Sequence, residues 1–339
     1  MRILVRATNW VGDAVMCLPA LGAIRGRFPD AHIAILARPW VADLYERESF
    51  ADEVLLLNST KWRTARQLRA QRFDCAILLQ NAFEAALIAW LAGIPKRIGY
   101  NRDGRGFLLT DAIAVPRAGE IPRHERFYYL ELLRRAGIVE DLPSSNAIRL
   151  DGGAPARENA ARRFAEFGLP ARIVGVSPGA AFGGAKRWLP ESFSQAAACV
   201  ATRLGAGAAV FGSQSERELC EGVAEGLRER GVQAHNFAGA TTLREFIELA
   251  AGCELYLTND SGAMHISSAL GVPTVAIFGA TDAEATGPTG AHSRIVREPV
   301  ECSPCLLREC PIDHRCMARV GADRVVEVSM ELLRSFGRQ

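Results

Sequence analysis

The sequence lacks a long apolar run and a strong excess of charge of either sign. No apolar stretch in its 339 residues approaches the roughly 18 residues that a membrane-spanning helix needs. The net charge is only +2, so the composition gives no reason to expect a nucleic-acid partner. Short repeats and low-complexity tracts are also missing. What remains is a globular protein, and its length predicts two domains.

Two phosphate-binding signatures and a secretory signal are absent as well. G-x-G-x-x-G does not follow the first apolar run, which argues against a nicotinamide site, and no glycine-rich loop ends in Gly-Lys-Ser/Thr. Arg2–Arg6 has the pattern of a strand, and Asp13 interrupts any signal-like apolar core. We therefore expect a cytoplasmic protein whose nine cysteines are thiols or metal ligands rather than disulfides.

What is present is an alternation of strands and helices. Apolar runs such as Arg2–Arg6 and His32–Ala37 alternate with helical patterns such as Ala14–Arg27, and the alternation restarts after residue 155. This pattern predicts an α/β fold with parallel sheets covered by helices on both faces. We expect one domain over residues 1–155, a second over 156–320 and a final helix in 321–339. Two such halves imply a ligand-binding cleft between them.

The stretch from 255 to 278 has the pattern of a strand, a polar turn, a helix and a second strand. Asp260 and Ser261 lie in the turn, and Gly262 opens a helix of small residues. The N-terminus of that helix should lie at the carboxyl edge of a sheet, where free N–H groups and the positive dipole end suit a diphosphate. The alternative is that Asp260 and Ser261 only cap the helix. We favour binding because the same turn also presents His265, about one helical turn away.

A second candidate phosphate loop runs from Ser177 to Trp188. It follows an apolar strand and contains three glycines before Lys186. Glycine lets the backbone approach a phosphate, and a lysine neutralises it. The loop alone is weak evidence, but it and the 260–262 turn both follow strands of the same half and should meet at one sheet edge.

Three further polar residues follow predicted strands. Asp13 follows the first strand, where a carboxylate can accept a proton from a substrate hydroxyl; a helix cap is the alternative. Glu216 could hydrogen-bond ribose hydroxyls, or it could only complement a helix dipole. Thr241, together with Thr242, precedes another helix and has the pattern of a plain N-cap, although the pair also lies at a strand end.

Basic residues of the first half form another candidate group. They predict a basic wall for an anionic acceptor or a membrane surface, and a solvated charged face is the alternative. The residues are Lys61, Arg63, Arg66, Arg69, Arg102, Arg105 and Arg123.

Four cysteines cluster near the C-terminus, at positions Cys302, Cys305, Cys310 and Cys316. The first pair has the two-residue spacing of a zinc knuckle, whereas the whole cluster does not repeat it. A structural zinc site and a set of free thiols are therefore both open interpretations.

Taken together, three of these motifs resemble the lipopolysaccharide ADP-heptosyltransferases, glycosyltransferase family 9. They are Asn9-Trp-Val-Gly-Asp13, Ser177-Pro-Gly179 with Lys186-Arg-Trp188, and Asn259-Asp-Ser-Gly-Ala-Met-His265. The resemblance covers essentially the whole chain. The tryptophan after Asn9 and the cysteine cluster make the heptosyltransferase II group the closer match than the heptosyltransferase I group.

The resemblance implies a GT-B fold, in which two Rossmann-like domains face a cleft and the last helix packs back on the first domain. It implies inverting transfer of heptose from ADP-heptose to the first heptose of the lipopolysaccharide inner core, without a catalytic cofactor, at the inner face of the inner membrane. Asp13 would be the general base. The donor residues would be Lys186 and Ser261–Gly262 on the diphosphate, Asp260 and His265 near the sugar, Glu216 on the ribose and Thr241 beside the adenine.

Three other functions stay open at this stage. The chain could be a heptosyltransferase of the first type, or an epimerase or hydrolase acting on a sugar nucleotide. It could also be a non-catalytic nucleotide-binding module, in which Asp13 would be dispensable. Asp13 together with a basic first half favours a transferase with an anionic acceptor.

Overall fold

The computed structural model describes residues 1–142, 147–151 and 153–336 and divides the chain into two units. The first unit is Met1–Ser145 and the second is Asn146–Gln339. The boundary predicted from the sequence lies after residue 155, and the segment between these two positions lies partly outside the described residues. The predicted α/β class is confirmed, because each unit has one parallel sheet with helices.

The first unit alternates strands and helices from its first residues. In chain order its elements are β1 (Arg2–Arg6), α1 (Val11–Met16), α2 (Leu18–Arg27), β2 (His32–Ala37), α3 (Pro39–Tyr45), β3 (Glu53–Leu56), α4 (Lys61–Gln71), β4 (Cys75–Leu78), α5 (Phe83–Leu91), β5 (Lys96–Tyr100), β6 (Asp111–Ile113) and α6 (Arg126–Arg135), with a 3-10 turn at Gly106–Leu108. The single helix predicted over Ala14–Arg27 is wrong, because two helices meet at Cys17.

The sheet of the first unit has the order β3-β2-β1-β4-β5-β6, with every pair parallel. Its central strands are almost continuously apolar because helices cover both faces; Ile3, Leu4 and Val5 are all buried. The strand order reverses between β1 and β4. In open α/β sheets, ligands bind beyond the carboxyl ends of the strands at such a reversal. The loop that leads to Asp13 leaves β1 at this point.

The second unit repeats the plan of the first. Its elements are α7 (Gly153–Glu166), β7 (Ile173–Ser177), α8 (Pro190–Leu204), β8 (Gly207–Val210), α9 (Arg217–Glu229), β9 (Ala234–Asn236), α10 (Leu243–Ala251), β10 (Leu255–Asn259), α11 (Gly262–Ala269), β11 (Thr274–Ile277), α12 (Ala283–Thr286), β12 (Ser293–Val296), α13 (Arg315–Ala318) and α14 (Ala322–Phe336), with 3-10 turns at Gly184–Lys186 and Gln214–Glu216.

The sheet of the second unit has the order β12-β11-β10-β7-β8-β9, again with every pair parallel. If the strands are renumbered with β7 as the first, this sheet has the same strand order as the sheet of the first unit. The strand order reverses between β7 and β10. These two strands pair directly, with Thr258 opposite Ser177 at their carboxyl ends. The two loops predicted to bind phosphate therefore leave the sheet side by side.

The final helix, α14, packs within the second unit. Its contacts are with α8, β11 and β12, and its buried face includes Val325, Val326 and Leu332. The packing of this helix on the first half stays a prediction. None of the helices in the described part of the chain is long and apolar enough to cross a membrane.

Candidate functional site

Lys186, Asp260 and Thr281 form the centre of the candidate site in the second unit. Lys186 Nζ lies 2.6 Å from Asp260 Oδ2, and the Thr281 hydroxyl donates to the same oxygen at 2.6 Å. The three residues follow β7, β10 and β11, which are neighbours in the sheet. The side chain of Asp260 is only 4% exposed, so its negative charge is largely removed from water. Lys186 and the Thr281 hydroxyl offset the cost of burying that charge.

The N-terminus of α11 adjoins this cluster. Ser261 is its N-cap residue, but the serine side chain makes no capping hydrogen bond; its hydroxyl lies 3.2 Å from the Thr258 hydroxyl. The interpretation of Ser261 as a side-chain cap is therefore wrong. The N–H groups of the first turn, beginning at Gly262, keep the geometry that binds phosphate at helix N-termini. His265 lies one turn further and is buried.

Asn259 holds the two loops in register. The residue is fully buried; its Nδ2 donates to the Pro178 carbonyl at 2.7 Å, and its Oδ1 accepts from the backbone N–H of Trp188 at 2.9 Å. The loop that carries Lys186 is thereby tied to the strand that carries Asp260. Asn259 belongs to the motif that ends at His265, but the sequence predicts no separate role for it, although an amide at a buried strand end is a signal of such a tie.

Glu216 contacts the start of the same loop. Its Oε2 accepts from the Ser213 N–H at 2.9 Å and from the Ser213 hydroxyl at 2.8 Å, and Arg187 Nη2 lies 3.8 Å from Oε1. A methyl group at Gly179 would collide with this carboxylate. Glu216 thus completes a capping box with Ser213 in the first turn of this segment, where its charge also suits the helix dipole, and ribose binding by Glu216 stays a prediction.

Gly179→Ala should weaken donor binding without unfolding the protein. The added methyl group must displace Glu216 or the backbone of the loop, because the two already touch. We expect a rise in KM for the sugar nucleotide of about tenfold, and a loss of stability in the usual range of about 0.5–3 kcal/mol. Gly222→Ala is the matched control, since nothing lies within 4 Å of the new methyl group in α9. An unchanged KM in Gly179→Ala would contradict the prediction that Glu216 binds the donor.

The N-cap predicted at Thr241 and Thr242 is confirmed for α10, and the second of the two threonines forms it. Thr242 is the N-cap: its hydroxyl accepts from the Glu245 N–H at 3.2 Å, and Glu245 bonds back to the Thr242 N–H at 2.8 Å. Thr241 is left half-buried in the loop after β9. Gly239 of this loop donates its N–H to the Gly212 carbonyl, so the loops after β9 and β8 adjoin. Adenine contact by Thr241 stays a prediction.

Asp13 lies in the first turn of α1, at the carboxyl edge of the first unit's sheet. The N-cap position belongs to Trp10, so Asp13 is not the cap that the alternative interpretation required. Its negative charge acts on Glu125: the pKa of Glu125 is raised first by burial and then by Asp13, with Arg102 opposing. Glu125 is the N-cap residue of α6 and was not found from the sequence.

A hydrogen-bonded chain runs from Arg105 through Asn81 to Tyr128. Asn81 Nδ2 donates to the Tyr128 hydroxyl at 3.0 Å, and Arg105 Nη2 donates to Asn81 Oδ1 at 3.1 Å. A hydrogen bond to Tyr128 raises the pKa of Arg102. The chain joins the ends of β4 and β5 to α6.

The predicted basic residues separate into two kinds. Lys61, Arg63, Arg102 and Arg123 are exposed, as an acceptor contact requires. Arg105 is fully buried and bonds the carbonyls of Tyr100 and Gln80, besides Asn81. The prediction that Arg105 contacts the acceptor is therefore wrong. Its hydrogen bonds connect the end of β4 to the end of β5.

The four clustered cysteines lie between α12 and α14 with graded exposure. Cys302 is exposed, Cys305 and Cys310 are half-buried and Cys316 is buried. Burial raises the pKa of Cys316, and the charges of the other three raise it further. Within the described ranges, no group of three or more His, Cys, Asp or Glu side chains is arranged to hold a metal ion. The side chains as placed thus do not confirm a zinc site.

Comparisons with known proteins relate this chain to one family of glycosyltransferases. The family model described as "Glycosyltransferase family 9 (heptosyltransferase)" matches residues 61–315. Lipopolysaccharide heptosyltransferase 2 of Escherichia coli (strain K12) is 30% identical, covering 88% of each chain. Lipopolysaccharide heptosyltransferase 1 of Pseudomonas aeruginosa is 24% identical over 91% of this chain and 87% of its own.

A solved structure shares the fold. The structure of E. coli ADP-heptose LPS heptosyltransferase II superposes with a TM-score of 0.87 at 29% identity and covers 99% of this chain and 100% of its own. The expected GT-B fold class is thereby confirmed. The family model spans most of the chain, including both loops that meet at Lys186 and Asp260. The protein is therefore a member of glycosyltransferase family 9, the heptosyltransferases.

Proposed function

We propose that the protein transfers L-glycero-D-manno-heptose from ADP-heptose to the first heptose of the lipopolysaccharide inner core, heptosyl-Kdo2-lipid A. The observation that carries the proposal is the cluster of Lys186, Asp260 and Thr281 beside the N-terminus of α11. A lysine and a helix N-terminus at one sheet edge form a site for a diphosphate. The relatives named heptosyltransferase 2 support this donor and acceptor.

In the donor half, ADP is the leaving group. Lys186 and the N–H groups that begin at Gly262 stabilise the negative charge that develops on the diphosphate as its bond to the sugar breaks. Asp260, fixed by Lys186 and Thr281, contacts the heptose, with His265 nearby. Glu216 binds the ribose and Thr241 lies beside the adenine.

In the acceptor half, Asp13 is the general base. It removes the proton of the acceptor hydroxyl while the hydroxyl oxygen forms a bond to the anomeric carbon of heptose, and ADP departs from the opposite face, which inverts the configuration. Lys61, Arg63, Arg102 and Arg123 bind the anionic groups of the acceptor. Arg105 contributes indirectly, through the hydrogen bond that it donates to Asn81.

The test is an incubation with ADP-heptose and heptosyl-Kdo2-lipid A, followed by mass spectrometry of the lipid. We expect the addition of one heptosyl residue and release of one equivalent of ADP. A parallel reaction with Kdo2-lipid A that lacks heptose should give no product, which separates this activity from the first transferase. Release of ADP without acceptor would favour a hydrolase, and ADP binding without turnover would favour a binding module.

Two further features belong to the proposal. We place the enzyme in the cytoplasm at the inner face of the inner membrane, because its acceptor is a membrane lipid. A structural zinc ion at Cys302, Cys305, Cys310 and Cys316 stays a proposal, supported by the two-residue spacing of the first pair. It has no part in the transfer step, and we expect no catalytic cofactor.

Thr281→Val should lower the efficiency with which the donor is used. The valine keeps the shape of the side chain but removes the hydrogen bond to Asp260. Because hydrogen bonds to charged groups contribute about 1.5–3 kcal/mol, kcat/KM for ADP-heptose should fall about ten- to a hundredfold. Thr281→Ser, which keeps the hydroxyl, should restore most of the loss. Equal kinetics for the valine and serine variants would show that the bond is irrelevant to donor use.

A further inference from the structure

Residues 303–314 form a segment that contacts two separate loops of the donor site. One is the loop after β7, which carries Lys186, and the other is the loop after β11, which carries Thr281. In the sheet, β10 lies between β7 and β11, so these two donor loops do not follow neighbouring strands. Asp260, which follows β10, is one link between them. The segment is a second link, and we call it the clasp.

On the side of β11, the clasp bonds the two residues before Thr281. The Ser303 hydroxyl donates to the Gly279 carbonyl at 2.6 Å, and the Leu306 N–H donates to the Ala280 carbonyl at 2.8 Å. Both acceptors are backbone groups, so these hydrogen bonds fix the course of the loop itself. The position of the Thr281 hydroxyl is therefore constrained by the clasp.

On the side of β7, the clasp bonds the two residues before Lys186. The Ala185 N–H donates to the Arg308 carbonyl at 2.9 Å, and the Gly184 N–H donates to Glu309 Oε1 at 3.0 Å. The backbone that leads into the lysine is therefore held by the clasp in the same way as the backbone that leads into the threonine.

Two further contacts complete the side of β7. His314 Nε2 lies 3.1 Å from the Ala185 carbonyl, and because a carbonyl can only accept, this nitrogen is the donor. The Phe182 ring centre lies 4.9 Å from Lys186 Nζ and 5.5 Å from Arg308 Cζ. Cations are attracted to the face of an aromatic ring, so Phe182 connects the clasp to the ammonium group as well as to its backbone.

Glycines in the loop after β7 make room for the clasp. A methyl group at Gly183 would collide with the Arg308 carbonyl, and one at Gly184 would collide with the Glu309 carboxylate. Gly183 also has a φ of +155°, which residues with a side chain rarely adopt. Two of the three glycines that predicted a phosphate loop thus also admit the clasp.

Backbone strain occurs where the clasp meets the donor loops. Of the four non-glycine residues with positive φ in the described part of the chain, two are Leu306 at +58° and His314 at +55°. Residues in this conformation are uncommon, and they cluster at functional sites, where the surrounding structure over-determines them. Each of these two residues bonds one donor loop directly.

The clasp contributes little to the apolar core. Leu306, Leu307 and Ile312 are 63%, 44% and 58% exposed. Among the described residues, the hydrogen bonds of the clasp beyond its own neighbours in sequence all go to the two donor loops. Side chains that stay in water contribute little burial energy, so this pattern fits a segment that holds the loops rather than one that stabilises the domain.

We propose that the clasp positions Lys186 and Thr281 for the donor, with Glu309 and His314 as positioning residues. They act on the diphosphate through Lys186 and do not touch the ligand. The lysine and the N-terminus of α11 must meet the same diphosphate, and a displacement of about 1 Å is enough to impair such a site. The inference rests on the proposed function, in which Lys186 binds the diphosphate, and its test is donor binding, which needs no acceptor.

The first test compares two variants of Glu309 in the full chain by calorimetric titration with ADP-heptose. Glu309→Gln removes the charge but keeps an oxygen that can accept from the Gly184 N–H, so Kd should stay within about twofold of wild type. Glu309→Ala also removes the acceptor, and Kd should rise about three- to tenfold. The midpoint of urea unfolding should stay close to wild type in both variants, because Glu309 is exposed. Ile312→Ala is the matched control, since it shortens an exposed side chain of the same segment and should not change Kd.

A double-mutant cycle with Lys186→Ala gives a readout that a merely structural role would not move. If Glu309 acts through the lysine, Glu309→Ala should change the affinity for ADP-heptose by about twofold or less once Lys186 is absent. His314→Ala removes the other side-chain contact to this loop. It should cause a loss of about three- to tenfold when Lys186 is present and about twofold or less when it is absent.

Three results would overturn the proposal. The first is equal donor affinity in Glu309→Ala and Glu309→Gln, and the second is an equal loss in Ile312→Ala. The third is an undiminished loss from Glu309→Ala in the Lys186→Ala background, because the residue would then act without the lysine. Donor binding by wild type without transfer to the acceptor would instead overturn the proposed function and leave the clasp standing.

Discussion

Asp13→Asn should reduce heptose transfer by about 10²- to 10⁴-fold, the usual contribution of a general base, while ADP affinity stays unchanged. The asparagine keeps the size of the side chain and its place in the first turn of α1 but cannot accept the proton. Nucleotide affinity should be unaffected, because the residues assigned to ADP belong to the second unit. Single-turnover kinetics and calorimetric titration with ADP measure the two quantities.

Glu125 provides a test of the assignment of Asp13, because the charge of Asp13 raises the pKa of the Glu125 carboxyl group. If Glu125 were the base, Glu125→Gln would lose more activity than Asp13→Asn. Removing the charge of Asp13 also removes the second cause of the raised pKa of Glu125, so that pKa should fall in Asp13→Asn. A carbon-13 NMR titration of the glutamate carboxyl groups can follow the change. Asp30→Asn, at an exposed carboxylate between α2 and β2, is the control for a non-specific loss of charge.

The central strands of both sheets were predictable, but some edge strands were not. β1, β7 and β10 are continuous apolar runs because helices bury them on both faces. β6, β9 and β12 each lie at the edge of a sheet, have three or four residues and are partly exposed. Ala-His-Asn in β9 has no periodicity that could identify it as a strand. Such strands form because a neighbouring strand offers them hydrogen bonds. This pairing belongs to the tertiary structure and leaves no local pattern in the sequence.

The candidate site divides in a similar way. Asp260, Gly262 and Lys186 were predictable, because a glycine-rich or polar turn after an apolar strand indicates both a loop and its edge of the sheet. Thr281 was not, because its bond to Asp260 depends on β10 and β11 being neighbours. Glu125 was not, because nothing local in the sequence before α6 points to Asp13. Arg105 was predicted to belong to a basic wall for an anionic acceptor, whereas its guanidinium is buried because it donates to oxygen atoms of Tyr100, Gln80 and Asn81.

Lys186→Ala should weaken the binding of ADP-heptose about ten- to a hundredfold, which corresponds to the loss of one charge-assisted contact to the diphosphate. It should also destabilise the second unit. Asp260 is nearly inaccessible to water, and without the lysine its charge is left with the Thr281 hydroxyl. Removing one partner of a buried ion pair typically costs about 3–5 kcal/mol. A loss of affinity alone therefore does not distinguish a phosphate contact from a distorted site.

A double-mutant cycle separates the two effects. Lys186→Ala/Asp260→Asn removes the stranded charge, so its unfolding free energy should recover most of what Lys186→Ala loses. Donor affinity should stay low in the double variant, because the Lys186 ammonium group is still missing from the diphosphate. Arg172→Ala is the matched control: it breaks an exposed ion pair with Glu254 and should change stability by about 0–1 kcal/mol and affinity not at all. If affinity recovers together with stability in the double variant, Lys186 acts only by holding Asp260, and the diphosphate must be bound by the helix N-terminus alone.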